Sequence, residues 1–394
     1  MTNPAASLKP LQPLMLGNLV VGSGSLVIAG ILQPISQELQ VSVAQVGQLS
    51  SVYALAFAIG APAMSLLLSN WCRKRVLTLA LLLFAAASLW GAVAGSYTSL
   101  IASRVLAGVA GAMFSPNAAA VAALLVSPEQ RGRAIATVFG GFTLATVLGV
   151  PLGTYLGLHI GWRETLAVMG AASLLMTGFL HLRLPGNFHT APVNLRSWLQ
   201  LGSDVQVVMM LGVSLLQIAG TYVVFSFMGP FVMQGMKASA DQVALVMLLF
   251  GAAGFAGNWI SGRVIDRVGS ARMAAINISL VIIGLVLVAV SPSLGASQVI
   301  FMLLGIAIWG GAVFAINTAQ QTRLVQHAPQ LASSALPANS SLLFAGQALG
   351  GAVGGYALAS GLSMAALPLV GAGMAMLALG VSLSVSRKVS KSAV

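Results

Sequence analysis

The sequence predicts an all-α membrane fold of twelve transmembrane helices arranged as two pseudo-symmetric six-helix bundles. Three observations predict it: an apolar composition with almost no charge, a one-sided distribution of basic residues, and an internal repeat. Of the 394 residues, 58% are hydrophobic and 6% charged, where soluble domains carry roughly 25% charged residues. So few charges cannot clothe a water-facing surface, and the polar stretches are only a few residues long. A membrane helix needs about 20 apolar residues, so the chain has room for about a dozen crossings.

Apolar runs bounded by polar clusters place helices near 13–35, 45–68, 76–97, 99–126, 134–158 and 163–183, then 205–233, 241–262, 272–292, 297–325, 333–360 and 364–386. Basic residues test this division. Lys9, Arg73, Lys74, Arg75, Arg131, Arg133, Arg183, Arg196, Arg263, Arg267, Arg272, Arg323, Arg387, Lys388 and Lys391 fall on one side, and Arg163 and Lys237 on the other. By the positive-inside rule the rich side is cytoplasmic, which puts both termini in the cytoplasm and makes the number of crossings even. A multi-pass protein of a bacterial inner membrane is expected, with the first helix retained because no small-residue cleavage site accompanies it.

The longest polar interruption, residues 185–204, divides the chain into an N-terminal bundle (1–184), a cytoplasmic linker and a C-terminal bundle with a short tail (205–394). Leu195, Trp198, Leu199 and Leu201 suit a short helix at the membrane surface. Sliding the chain on itself by 197 residues pairs Gln45 with Gln242, Gly60 with Gly257 and Arg75 with Arg272 without a gap. Equal offset and equal orientation describe a parallel repeat, whose halves can rock about a site between them.

The net charge of +12 does not indicate a nucleic-acid partner, because the basic residues sit in ones, twos and threes at the ends of apolar runs. One cysteine, Cys72, excludes an internal disulfide and a cysteine metal cluster. His159, His181, His189 and His327 are scattered near helix ends, and no Walker loop, H-E-x-x-H or G-x-S-x-G signature occurs. The sequence therefore points away from an enzyme and calls for no metal or organic cofactor.

Four local patterns carry a resemblance. The stretch after the eighth helix reads Gly262-Arg263-Val264-Ile265-Asp266-Arg267-Val268-Gly269. There Gly262 permits close helix approach, and Asp266 with the arginines, Arg272 included, suits an ionic gate; a solvated loop that only fixes topology is the other reading. At the matching place in the first half stand Ser65, Ser69, Asn70 and Cys72, followed by Arg73. The fourth helix begins LIASRVLAGVAGA, and its Arg104 is a cation within a span, facing a cavity or partner, or snorkelling to the outer surface. The fifth carries Gly149, Pro151 and Gly153 and is followed by Gly161-Trp162-Arg163, a pattern suited to a bend or to packing. The eleventh presents Gly346, Gly350 and Gly354 as one smooth stripe, for sliding or for static packing.

In combination these patterns resemble the major facilitator superfamily, and within it the drug:proton antiporter and arabinose-efflux branch, over nearly the whole chain. The resemblance implies a cavity lined by the first, fourth, seventh and tenth helices with their neighbours. The polar candidates for it are Asn18, Ser25 and Gln33, Tyr53, Asn117, Gln217 and Tyr222, Asn317, and Asn339 and Gln347, with Phe114, Phe225 and Trp309 as apolar walls. Each polar residue among them is equally suited to bonding a neighbouring helix. The implied function is secondary active export of a small drug-, sugar- or nucleoside-like solute by alternating access, with protons as coupling ion and a monomer as the working unit. An uncoupled facilitator, an importer, and a membrane receptor or assembly subunit are the alternatives. The acids Glu38, Glu129, Glu164, Asp204, Asp241 and Asp266 all fall in loops or at helix ends, and Ser25 stands where many relatives carry a carboxylate. Proton coupling thus has no evident buried carrier.

Overall fold

The computed structural model describes residues 11–68, 70–127, 130–184, 186, 200–328 and 332–392, without the side chains of 131–133, 236, 266, 332–334 and 387–392. Among the described residues there are helices and no strands. The helices are α1 (Gln12–Leu26), α2 (Leu32–Leu39), α3 (Val43–Leu67), α4 (Arg73–Ala92), α5 (Tyr97–Leu124), α6 (Arg131–Leu144), α7 (Val150–His159), α8 (Trp162–Arg183), α9 (Val205–Phe225), α10 (Met228–Met236), α11 (Ala240–Val268), α12 (Ser270–Val290), α13 (Gln298–His327), α14 (Ala332–Ala359) and α15 (Leu367–Ser392). Among the described residues, eleven helical stretches are long and apolar enough to cross a membrane; one of them, Ser270–His327, has 58 residues. It folds back at the turn Ser291–Ser297, where Gly295 takes a φ of 55°, so that α12 packs on α13. Twelve crossings result. Large apolar side chains such as Leu67, Ile59, Leu175, Leu152 and Leu377 are exposed, the outer coat that lipid, and not water, would solvate.

Two spans differ from the continuous helices expected at 13–35 and 205–233. The first is interrupted by a 3-10 turn at Val27–Gly30 before α2 resumes, and the seventh breaks at Ser226 and Phe227 before α10. Pro34 and Pro230 supply a cause: neither has an N–H to give to the carbonyl four residues earlier, at Gly30 and Ser226. Pro62, Pro116 and Pro337, by contrast, lie within unbroken helices.

The repeat reaches individual dihedral angles. Gln40 ends α2 with φ 53° and Lys237 ends α10 with φ 51°, at the 197-residue offset. Two residues further on, Ser42 and Gln45 close a reciprocal capping box on α3, and Ser239 and Gln242 close the equivalent box on α11. Each box satisfies two orphan donors of its helix terminus. The same offset relates Gly149, Gly153 and Gly157 of the fifth span to Gly346, Gly350 and Gly354 of the eleventh. In the N-terminal half these glycines abut the side chains of Ser23, Val27 and Ile31; in the C-terminal half they abut the backbone carbonyls of Leu215, Ala219 and Val223.

The two halves meet mainly toward one end of the bundle, opposite the end at which α1 begins and α15 finishes. At this far end Gly229 lies so close to the carbonyls of Ala29 and Gly30 that an added Cβ would be 3.0 and 2.8 Å from them. Gly251 faces the carbonyl of Thr146, Gly351 faces Ser51, Gly355 faces Gln48, and Gly47 faces Phe227. Gln48 Nε2 donates to the Gly351 carbonyl at 3.2 Å, and His159 Nε2 lies 3.2 Å from Asp241 Oδ1. Midway down, Phe57 stacks on Phe344 with ring centroids 3.6 Å apart.

Candidate functional site

Small residues set the position of the site. Gly108 and Gly111 of α5 press against the Tyr53 carbonyl and hydroxyl, which draws α5 onto α3. Arg104, one to two turns nearer the far end of α5, is 2% exposed. Its Nη2 donates to the Gly24 carbonyl of α1 at 2.7 Å, and its guanidinium lies 5.1 Å from the Tyr53 ring centroid. Arg104 therefore turns inward and does not snorkel. Its Nε has no partner, and neither has the Tyr53 hydroxyl. Ser25 Oγ gives its own proton to the Gly22 carbonyl at 2.8 Å, so toward Tyr53 it can serve only as an acceptor.

In the opposing half Tyr222 packs beside Gly350 and meets the Phe225 ring edge-on at 5.3 Å. Gln347 of α14 is 4% exposed with its Nε2 unpartnered, and Gln217 of α9 is fully buried with both amide atoms unpartnered. Ser51 and Ser226, from opposite halves, flank Gly351 with unpartnered hydroxyls. Buried polar groups are normally matched, so a cluster of orphans along the seam between two halves marks a place built for something else to bind.

The other predicted lining residues are engaged with their own neighbours. Asn18 donates to the Val138 carbonyl at 3.1 Å and accepts from Ser115 at 2.7 Å. Asn117 accepts from Arg73 at 3.1 Å and donates to the Met113 carbonyl, so Arg73, 3% exposed, braces α4 against α5. Asn339 accepts from Ser214 at 2.6 Å and donates to Asn317 at 3.1 Å, which also takes a bond from Gln321. Trp309 Nε1 reaches Thr221 Oγ1 at 3.5 Å and packs with Phe250, which also meets Phe225. Phe114 packs on Gly17. Gln33 sits beyond the break, in α2, half-buried and away from this cluster.

Among the expected gating residues, Gly149 and Gly153 contact α1 and the turn after it, and Pro151 follows a π-helical turn at Ala145–Gly149. The close approach expected at Gly262 is not made in this conformation: a Cβ there would meet open space. Gly269 takes φ 87° and begins the turn into α12. Arg267 and Arg272 are exposed, with Arg272 lining a shallow cleft beside Thr322 and Gln326. The Asp266 side chain lies outside the described residues, as do Ser69, Leu195, Trp198 and Leu199.

Two features escaped the sequence reading. Arg323, counted there as a topology residue, is buried between α13 and α15, where Gln320, Ser382 and Ser386 receive its hydrogen bonds. At the far end Glu38 binds Trp162 Nε1 at 2.6 Å and Arg163 Nε at 2.8 Å. Arg163 also caps the Ala92 and Ala94 carbonyls. Gly161 at φ 137° makes the corner that lets Trp162 and Arg163 turn inward. Desolvation pushes the Glu38 carboxyl up, but the hydrogen bonds from Arg163 and Trp162 and the Arg163 charge outweigh it and hold the group below its usual value. The glutamate and the Gly-Trp-Arg triplet were both visible in the sequence; their spatial meeting was not.

Twelve apolar helices in two repeated halves, closed on each other at one end around unmatched polar groups, make the architecture of a solute carrier. The sequence profile of the Major Facilitator Superfamily matches residues 14–355. The Inner membrane transport protein YdhP of Escherichia coli (strain K12) is 28% identical over 370 residues, covering 94% of each chain. The Chloramphenicol resistance protein of Streptomyces lividans is 31% identical over 334 residues, covering 82% of this chain and 83% of that one. A bacterial homologue of the human lysosomal transporter Spinster, solved inward-facing and occupied, superposes with a TM-score of 0.77 at 17% identity over 98% of both chains, a likeness of fold. The chain belongs to the Major Facilitator Superfamily and is a multi-pass membrane transporter, not an enzyme.

Proposed function

We propose that the chain exports a small solute by alternating access, through a path between residues 1–184 and 205–394 with the polar stretch 185–204 as linker. The observation that carries this reading is the one-sided closure: the halves touch through Gly229, Gly251, Gly351 and Gly355 toward the far end. Gly229 and Gly251 meet backbone carbonyls, and Gly351 and Gly355 meet the small or flexible side chains of Ser51 and Gln48; such a seam has little interdigitation to unlock, which suits a joint that must open repeatedly. Export is favoured by the relative named for chloramphenicol resistance. In our reading the terminal end faces the cytoplasm, as the basic residues imply, so the conformation described is closed outward; one chain suffices because its two halves enclose the path.

Cysteines placed singly at positions 40 and 391 test the orientation: labelling of 40 by an impermeant reagent in intact cells, with 391 protected, is expected, and the reverse pattern overturns it. Energy coupling by proton antiport is the reading the resemblance supports. A second reading, uncoupled flux, is favoured by one observation: Glu38, Glu164, Asp204 and Asp241, the carboxylates with described side chains, all sit at helix ends. Flux of chloramphenicol into proteoliposomes, compared with and without a pH gradient, separates the two. Acceleration by the gradient supports antiport, equal rates support facilitation, and no saturable flux of it, of a sugar and nucleoside panel, or of an aromatic carboxylate removes the export proposal.

A further inference from the structure

We infer that the transported solute carries an anionic, carboxylate-like group, and that Arg104, Tyr53 and Gln347 receive it. The inference rests on the transport reading above and names the chemistry of its site.

Charge points to an anion first. Arg104 is buried about two turns inside the far end of α5 with a carbonyl and an aromatic ring for company. The four carboxylates with described side chains are at helix ends, and the other two acids, Glu129 and Asp266, belong by sequence to the polar stretches after the fourth and eighth spans. A cation taken out of water without a counter-charge is strongly unfavourable, and a hydrogen-bonded carbonyl offsets only part of that. An arriving anion removes the penalty, whereas an arriving cation adds to it.

Donor balance points the same way. Arg104 Nε, Tyr53 Oη and Gln347 Nε2 are all buried, all without partners, and all able to donate. Gln217 leaves one donor and one acceptor free and does not tip the balance. A site with a positive charge and an excess of free donors asks for an acceptor-rich ligand, and two carboxylate oxygens supply about four lone-pair directions.

Placement brings these donors together. Tyr53 and Phe57 lie one turn apart on one face of α3, and Phe57 stacks on Phe344 of the other half. Gln347 lies one turn beyond Phe344 toward the far end, which brings it across the seam at the level of Tyr53. Donors therefore come from both halves, and an anion bound among them would tie the halves together at mid-depth. Ser51 and Ser226 beside Gly351, a further turn along, extend the polar surface in the same direction.

The test is isothermal titration of the purified full-length protein in detergent with three probes of one shape, benzoate, benzamide and benzylammonium, and with sodium chloride to separate a solute carboxylate from an inorganic anion. Benzoate is expected to bind at least tenfold more tightly than benzamide, with benzylammonium weaker still. Arg104→Gln should abolish the difference, Arg104→Lys should retain part of it, and Tyr53→Phe should weaken benzoate severalfold while leaving benzamide nearly unchanged. Equal binding of benzoate and benzamide overturns the inference, as does a preference that survives in Arg104→Gln, or heat from chloride alone. Where Arg104→Gln does not fold, the lysine and phenylalanine variants decide by the same criteria. Saturable flux with no benzoate preference would sink this inference and leave transport standing; absence of any flux would sink transport instead.

Discussion

The two halves of this transporter share a skeleton and differ in chemistry. Breaks after Leu26 and Phe225, left-handed residues at Gln40 and Lys237, and capping boxes at Ser42 and Ser239 all repeat. The buried polar content does not. The N-terminal half holds the cation Arg104 with unmatched donors and, at its rim, the Glu38–Arg163 clamp. The C-terminal half matches its own buried cation, Arg323, with Gln320, Ser382 and Ser386. It holds a neutral network of Ser214, Asn339, Asn317 and Gln321, and leaves unmatched only the neutral groups of Gln217, Ser226 and Gln347 among its described residues near the seam. What the repeat preserves is backbone geometry, which hinges and helix contacts need in both halves. What it lets diverge is side-chain polarity, so the binding duties of the halves are unequal.

The glycine stripes are where the halves should differ most in tolerance to substitution. Gly350 faces the Ala219 carbonyl and Gly153 the Val27 side chain. A carbonyl held in a helix cannot step aside as a valine rotamer can. Gly350→Ala should therefore cost more than Gly153→Ala, with overpacking penalties toward the upper end of about 1–3 kcal/mol for the former. Chemical or thermal unfolding in detergent measures both, and equal losses would mean that the stripes are equivalent after all.

The neutral network comes next in size. Asn339→Leu strands Ser214 and one acceptor site of Asn317 and should destabilise the C-terminal half by about 1–3 kcal/mol. Hydrogen exchange in α9 and α13 should rise while that in α1 and α5 stays unchanged. The capping boxes should behave as twins: Ser42→Ala and Ser239→Ala each are expected to cost about 1 kcal/mol. A difference well beyond that, measured in the same unfolding experiments, would break the equivalence of the α3 and α11 N-termini.

The smallest effect belongs to the rim. Glu38 is exposed, so its pair with Arg163 contributes modestly. Its carboxyl is held below the ordinary value, so the stabilisation is present above the unfolded-state pKa and disappears as pH falls through the lower folded value. The stability gap between wild type and Glu38→Gln should therefore be flat at neutral pH and close in acid below the ordinary carboxylate range, as followed by unfolding against pH.

Crossing number and repeat were legible because apolar length and loop charge report the bilayer directly. The breaks at Ile31 and Phe227 were not, although Pro34 and Pro230 were in view. Proline is ambiguous in a membrane helix, since Pro62, Pro116 and Pro337 leave their helices whole. The relation of Gly149, Gly153 and Gly157 to Gly346, Gly350 and Gly354 needed only the offset already found at Gln45 and Gln242. For the site, sequence names polar residues within spans but not their partners. Asn18, Asn117, Asn317 and Asn339 turn out to be occupied, while Tyr53, Arg104, Gln217 and Gln347 keep unmatched atoms. That distinction exists only once helices are rotated against each other.

The glycine joint toward the far end also bears on how such a carrier diversifies. Main-chain atoms are common to every sequence, so the part of the seal built from them, at Gly229 and Gly251, places few demands on the residues around it. Substitutions that retune the lining toward a new compound leave that part of the door untouched, and a lineage can change its cargo without first rebuilding it.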